Sequence, residues 1–168
     1  MFPIVNPPQK KSFDPTQQPF SANRHRAAQI CRQFNLLSPL AVQERKKLLS
    51  TLVHGDLPIF IESDFYCEYG DNIHIGAETF INHNVTINDS APIVIGKNVL
   101  IGPNCFLNTV LHQAANKVTC AAIKIGDHVW IGANVTICGG VEIGDHAIIG
   151  AGCIIKESVG AGEVVKGI

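Results

Sequence analysis

The sequence predicts a mainly-β solenoid in which short strands stack coil upon coil, and three observations carry that expectation. Across Ile123–Ile155 an aliphatic residue returns every six positions, at Ile125, Ile131, Ile137, Ile143, Ile149 and Ile155. In most of these hexads glycine follows it, at Gly126, Gly132, Gly144 and Gly150, and the fifth position is small and apolar, at Val129, Val135, Val141, Ala147 and Cys153. Asp or Asn recurs close behind the glycines. A period of six matches neither the 3.6 of a helix nor the 2 of an ordinary strand.

Such a period is the signature of hexapeptide repeats. Its physics is that of flat strands stacked at about 4.8 Å, one side chain per hexad pointing inward to build an aliphatic ladder. Gly, Asn and Asp then occupy corners where the backbone needs positive φ. Three hexads complete one coil of a triangular prism.

The composition fits a core of thin aliphatic layers: apolar residues make up 46% of the 168 residues and aromatics only 7%. Lys and Arg number 13 against 14 for Asp and Glu, so no electrostatic case arises for nucleic acid or an anionic membrane surface. The six cysteines, at 31, 67, 105, 120, 138 and 153, contain no C-x-x-C pair, and several fill slots where the repeat wants a small apolar residue. They read as free thiols. With no signal peptide and no long uncharged apolar run, a cytoplasmic protein is expected.

Taken in order, residues 1–20 read as an extended or poorly ordered arm rich in Pro, Gln and Lys. Residues 21–55 read as a helical cap. Ala27, Ile30, Cys31 and Phe34 share one helical face with Ser21 as N-cap, and a second helix opens at Ser38-Pro39 and runs to about Val53, with Glu44-Arg45-Lys46-Lys47 solvated. Such a cap would cover the open end of the ladder. Residues 56–168 form the solenoid domain, with Val85, Val99, Ile148 and Ile154 read as outward aliphatics able to meet neighbours. Leu107 to Ile125 spans three hexads in phase, yet residues 111–122 lose the inward pattern. A loop is expected there, beginning at His112, and loops on rigid scaffolds carry function.

The combination YGDNIHIG at 69–76, FINHNVTIND at 80–89, VLIGPN at 99–104, NTVLH at 108–112 and IKIGDHVWIGANVTI at 123–137 resembles the hexapeptide-repeat O-acetyltransferases, in their maltose and galactoside branch. The resemblance runs from about Phe13 to the last residue. It implies a left-handed parallel β-helix, against the usual right-handed crossover, assembled as a homotrimer with active sites between neighbouring prisms. It also implies acetyl-CoA as cosubstrate, a sugar or similar hydroxyl compound as acceptor, and no metal.

Residue by residue, the resemblance implies that His112 is the catalytic His, a general base that takes the proton of the attacking hydroxyl. Asn82 falls beside the reacting acetyl group, where its amide can orient donor or acceptor, although Asn at a solenoid corner also builds purely structural ladders. Glu68, Asp89 and Asp14 fall near acceptor-gripping positions and Phe80 where a ring can stack on a sugar; each also reads as an ordinary loop or cap residue. Trp130, Gly132, Ala133 and Ala151, with Lys156, fall along the expected coenzyme path. Gln113 stands where the family has Pro, and the loop before VWIG is short, so the acceptor pocket is expected to differ from that of relatives. Two other readings of the fold remain open from sequence: a trimeric scaffold without catalysis, and a γ-carbonic-anhydrase-like zinc enzyme, whose H-x4-H spacing is missing here.

Overall fold

A computed structural model describes residues 9–56, 58–114 and 116–167. Its body is a parallel β-solenoid of three faces (the prism of the sequence reading), preceded by two helices, α1 (Phe20–Leu36) and α2 (Val42–Ser50). The first face stacks His54–Gly55, Ile73–Ile75, Ile93–Ile95, Ile123–Ile125 and Glu142–Ile143. The second stacks Ile59–Ile61, Thr79–Ile81, Leu100–Ile101, Trp130–Ile131, Ile148–Ile149 and Val164–Val165, and the third Tyr66–Cys67, Thr86–Asn88, Phe106–Asn108, Thr136–Cys138 and Ile154–Ile155.

Each hexad sends two side chains inward rather than one. The aliphatic residue is buried and so is the small one two positions before it, as Ile101 with Val99, Ile131 with Val129 and Ile149 with Ala147. Val85 and Val99, expected outside, are both 0% exposed for this reason, whereas Ile154 does point outward. The inner column therefore doubles, and burying two aliphatic chains per hexad is what holds so thin a body together.

The corners meet expectation in using Asn and Asp at positive φ and depart from it at Glu78, His128 and His146 and in the place of most glycines. Positive φ falls on Glu78, Asn98, His128 and His146 between the first and second faces, and on Asp64, Asn84, Asn104, Asn134 and Gly152 between the second and third. The glycine after each aliphatic residue serves a different need. A Cβ on Gly102 would stand 2.6 Å from the Gly132 carbonyl carbon of the next coil, so these glycines let coils stack closely.

The helical cap joins the same core through Ala27, Cys31, Phe34, Leu52 and Val53. Its boundaries need correction. α1 begins at Phe20 behind Pro19, with no side-chain cap, so Ser21 lies inside the helix. Ser38 caps a turn instead of α2, accepting from the Leu40 and Ala41 N–H groups, and α2 runs only from Val42 to Ser50. Arg45 is buried rather than solvated: its guanidinium lies 3.9 Å from the centre of the Phe34 ring and donates to the Ile61 carbonyl at 2.9 Å. The cysteines are free, and the Cys31 and Cys67 sulfurs lie 3.8 Å apart between α1 and the third face. No described helix is long and apolar enough to cross a membrane.

Candidate functional site

Coil length varies, and the variation falls at one corner. Ile73 pairs with Ile93 twenty residues on, Ile93 with Ile123 thirty on, and Ile125 with Ile143 eighteen on. Across the two corners that flank the second face the inward aliphatic residues keep a six-residue step in each coil, as Ile75, Ile81 and Ile87 or Ile125, Ile131 and Ile137, so the surplus gathers where the third face returns to the first. There the chain builds three features.

The first is a knot around Asp89. This residue is 0% exposed, and its Oδ1 accepts from the N–H groups of Glu68 (3.1 Å) and Tyr69 (2.8 Å), its Oδ2 from those of Gly70 (2.8 Å) and Asn72 (3.3 Å). Burial pushes its carboxyl above the ordinary range while these donors pull the other way. Asp89, expected to grip the acceptor, therefore spends both oxygens on holding the corner. Glu68 lies at its rim and pairs with Arg24 of α1 at 2.6 Å.

The second feature corrects the expected loop at 111–122. Val110–Ala114 and Lys117–Cys120 form an antiparallel hairpin, and the arm contributes a third strand, Lys11–Phe13, paired with the return strand. Residues 1–8 of the expected arm lie outside the described residues. One face of this small sheet is apolar: Phe13, Val110, Val118 and Cys120 pack on Ala91. Alternation along the strands puts Thr119 on the opposite face, paired with Ser12 on one side and His112 on the other.

The third feature is a β-bulge between Val110 and His112. Strict alternation would give Val110 and His112 the same side. The extra residue, Leu111, turns His112 onto the exposed polar face while Val110 stays packed inside, the re-aiming that bulges provide.

The arm closes the neighbourhood. Phe13 packs against Phe20 and Tyr69, with ring centres 4.4 and 6.3 Å away. Asp14 follows and accepts from the Thr16 N–H at 2.9 Å, the Thr16 hydroxyl at 2.7 Å and the Gln17 amide at 3.1 Å, which lowers its carboxyl pKa below the usual value. His112, Asp14 and Glu68 thus gather at one corner.

The remaining expected residues lie elsewhere. Phe80 and Trp130 stand in an outward column on the second face, Phe60, Phe80, Leu100, Trp130, Ile148 and Val164, in which Phe60, Leu100 and Trp130 are about half exposed. Asn82, Gly132, Ala133 and Ala151 mark the edge between the second and third faces; Asn82 Oδ1 accepts from the His83 N–H at 2.7 Å. Lys156 is exposed just after the third face. Within one chain, His112 and the Trp130 edge occupy different corners. The Trp130 edge suits a long, narrow ligand: a ring 56% exposed beside Gly132-Ala133 and Gly150-Ala151-Gly152, which carry no side chain beyond a methyl group. Sequence reasoning missed Thr119, Ser12, Arg24 and the Leu111 bulge, because cross-strand partners and helix docking leave no mark in a six-residue period.

Comparison with known proteins agrees with this architecture. Residues 122–157 match the model of the bacterial transferase hexapeptide (six repeats), and 92–110 that of the hexapeptide repeat of succinyl-transferase. A candidate acetyltransferase of Dictyostelium discoideum is 33% identical over 162 residues, which cover 92% of this chain and 84% of that protein. The chain spans only 58% of the galactoside O-acetyltransferase of Escherichia coli, at 34% identity, over 66% of its own length. Among solved structures, a maltose O-acetyltransferase from Clostridium difficile 630 superposes with a TM-score of 0.89 at 30% identity, covering 94% of this chain and 88% of that one. A hexapeptide-repeat acetyltransferase of Vibrio cholerae O1 biovar eltor complexed with acetyl-coenzyme A gives 0.84 at 36% identity, covering 92% and 87%. With its two-per-hexad ladder, its single irregular corner and these relatives, the chain belongs to the hexapeptide-repeat acetyltransferase family.

Proposed function

We propose that the protein transfers an acetyl group from acetyl-coenzyme A to a hydroxyl of a sugar or similar small acceptor, in sites formed between copies of a homotrimer. The observation that carries this reading is the bulge that turns His112 outward at the one corner where the chain spends its surplus length. A base belongs on an exposed face, fixed by a sheet and free of competing partners.

Acetyl-coenzyme A, when bound, supplies an acyl carbon activated as a thioester. His112 accepts the proton of the acceptor hydroxyl as that oxygen attacks, and returns a proton to the departing thiolate. No covalent intermediate on the protein is required. Asn82 orients the reacting groups through its amide, Phe80 offers a ring to the acceptor, and Glu68 and Asp14 offer carboxylates to its hydroxyls. Trp130, Gly132, Ala133 and Ala151 form the wall along which the coenzyme lies, with Lys156 toward its phosphates.

The separation of the two groups supports assembly. His112 lies at one corner and the Trp130 edge at another, so a complete site draws each from a different copy. The half-exposed apolar column of the second face gives a neighbour something to cover. The maltose and galactoside relatives support a sugar acceptor.

The test is thiol release from acetyl-coenzyme A over a panel of maltose, glucose, galactosides and other hydroxyl acceptors, for wild type and His112→Ala. Acceptor-dependent release is expected, reduced roughly a hundredfold or more in the variant. Absence of release and of coenzyme binding would favour a scaffold without chemistry.

A further inference from the structure

We infer that Thr119, backed by Ser12 of the N-terminal arm, is the positioning residue for the His112 imidazole, an inference that rests on the reading of His112 as base. Three strands contribute to one rung: Ser12 pairs with Thr119, and Thr119 pairs with His112. Directly paired residues of antiparallel strands share a face with Cβ atoms about 4.5–5.5 Å apart, within reach of a hydroxyl and an imidazole. The Ser12 and Thr119 hydroxyl oxygens are already 3.0 Å apart. The opposite face of the sheet is apolar and can offer the ring nothing of this kind.

The bulge gives the arrangement its sense. Were Leu111 a regular strand residue with a rung of its own, His112 would fall on the side of Val110 and lose the pairing with Thr119. With it, the chain of donors runs from a ring N–H of His112 to Thr119 Oγ1, and from the Thr119 hydroxyl to Ser12 Oγ. Giving its proton to Ser12 makes the Thr119 oxygen a better acceptor, since linked hydrogen bonds polarise one another. One ring nitrogen is then committed as donor, and the other keeps its lone pair for the proton of the acceptor hydroxyl. When that proton arrives, the imidazolium still donates to Thr119, so the charged state is favoured along the same line. In the free chain the ring is exposed, and such bonds commonly tighten only in the reacting complex.

Through Ser12 the arm thereby acquires a role in catalysis beyond any contact of Asp14 with the acceptor. It supplies the last hydroxyl of the chain and pins the return strand that carries Thr119.

The experiment uses the full chain and two readouts. In steady-state kinetics, Thr119→Val is expected to lower kcat about tenfold with KM for both substrates little changed, the loss of one hydrogen bond to a group that becomes charged. Thr119→Ser should restore most of it, and Ser12→Ala should show a smaller loss of the same kind. In 15N-labelled imidazole NMR, assigned by the spectrum of His112→Ala, one His112 tautomer should dominate in wild type and mix with the other in Thr119→Val. If Thr119→Val destabilises the hairpin, Ser12→Ala on the arm carries the test. Unchanged kcat and tautomer in both variants, with His112→Ala inactive, would overturn the positioning role and leave the base in place. Full activity in His112→Ala would remove the base reading and this inference with it.

Discussion

The two corners that flank the second face and the corner that closes each coil are made from the same chain under different constraints. At the regular corners the chain from Glu62 onward repeats a six-residue step with a left-handed residue in the turn, and Gly102 clears the coil above by 2.6 Å. Length there is fixed because any insertion would put the rungs out of phase. At the closing corner the phase is carried by the rungs on either side, so length is free. Coils of twenty, thirty and eighteen residues return to the same register. The difference teaches that a solenoid can build features unique to one coil where it does not have to repeat. His112, the Asp89 knot and the arm strand all lie there.

Three experiments would sharpen or break this contrast. The largest effect is expected from exchanging Leu111 and His112, which puts leucine on the Thr119 rung and moves the imidazole to the bulge position. Transfer should fall a hundredfold or more, while far-UV circular dichroism and the melting temperature stay close to wild type because no rung of the prism is touched. A loss of cooperative unfolding would show instead that the hairpin supports the prism.

Next come paired substitutions, one per kind of corner. Asp89→Ala leaves four backbone N–H groups without their acceptor and should cost about 3 kcal/mol or more in denaturant unfolding. Gly102→Ala forces a methyl group against the Gly132 backbone and should cost about 1–3 kcal/mol. Equal sensitivity would mean that the closing corner is as tightly specified as the others.

The smallest effect concerns Asp14. Its carboxyl is held below the ordinary value of 3.8 by Thr16 and Gln17, so its contribution is present above that value and is lost as pH falls through the lower, folded value. Protection of the arm amides between residues 11 and 17, relative to their intrinsic exchange at each pH, should fall in that acid window and hardly change between pH 5 and 7. Asp14→Asn should remove the dependence.

Much of the prism was legible in the sequence because a ladder repeats its requirement six times, and Ile125 through Ile155 state it without interference. The doubling of the inward column was not read, since Val85 and Val99 satisfy a strand pattern on either side. At the closing corner the break after Leu107 was legible as lost phase, and with it the place where the chain departs from the prism. Its form was not, because the arm strand pairs with residues more than a hundred positions away, as Ser12 does with Thr119. Asp89 reads as a polar loop residue until the backbone that surrounds it is known. Arg45 sits in a run of charges and is drawn inward by the Phe34 ring and the Ile61 carbonyl, partners that only packing supplies.

The hairpin leaves and rejoins the prism through a neck one hydrogen bond wide, the Ala121 N–H to the Thr109 carbonyl at 2.9 Å. Above and below it, Ile101 pairs with Ile131 as though nothing intervened. Chain added between those two residues costs only the slowly growing entropy of closing a longer loop. The segment behaves as an exchangeable cassette. Its length and side chains can drift, or be replaced by design, to suit a new acceptor while the inner ladder is left unaltered.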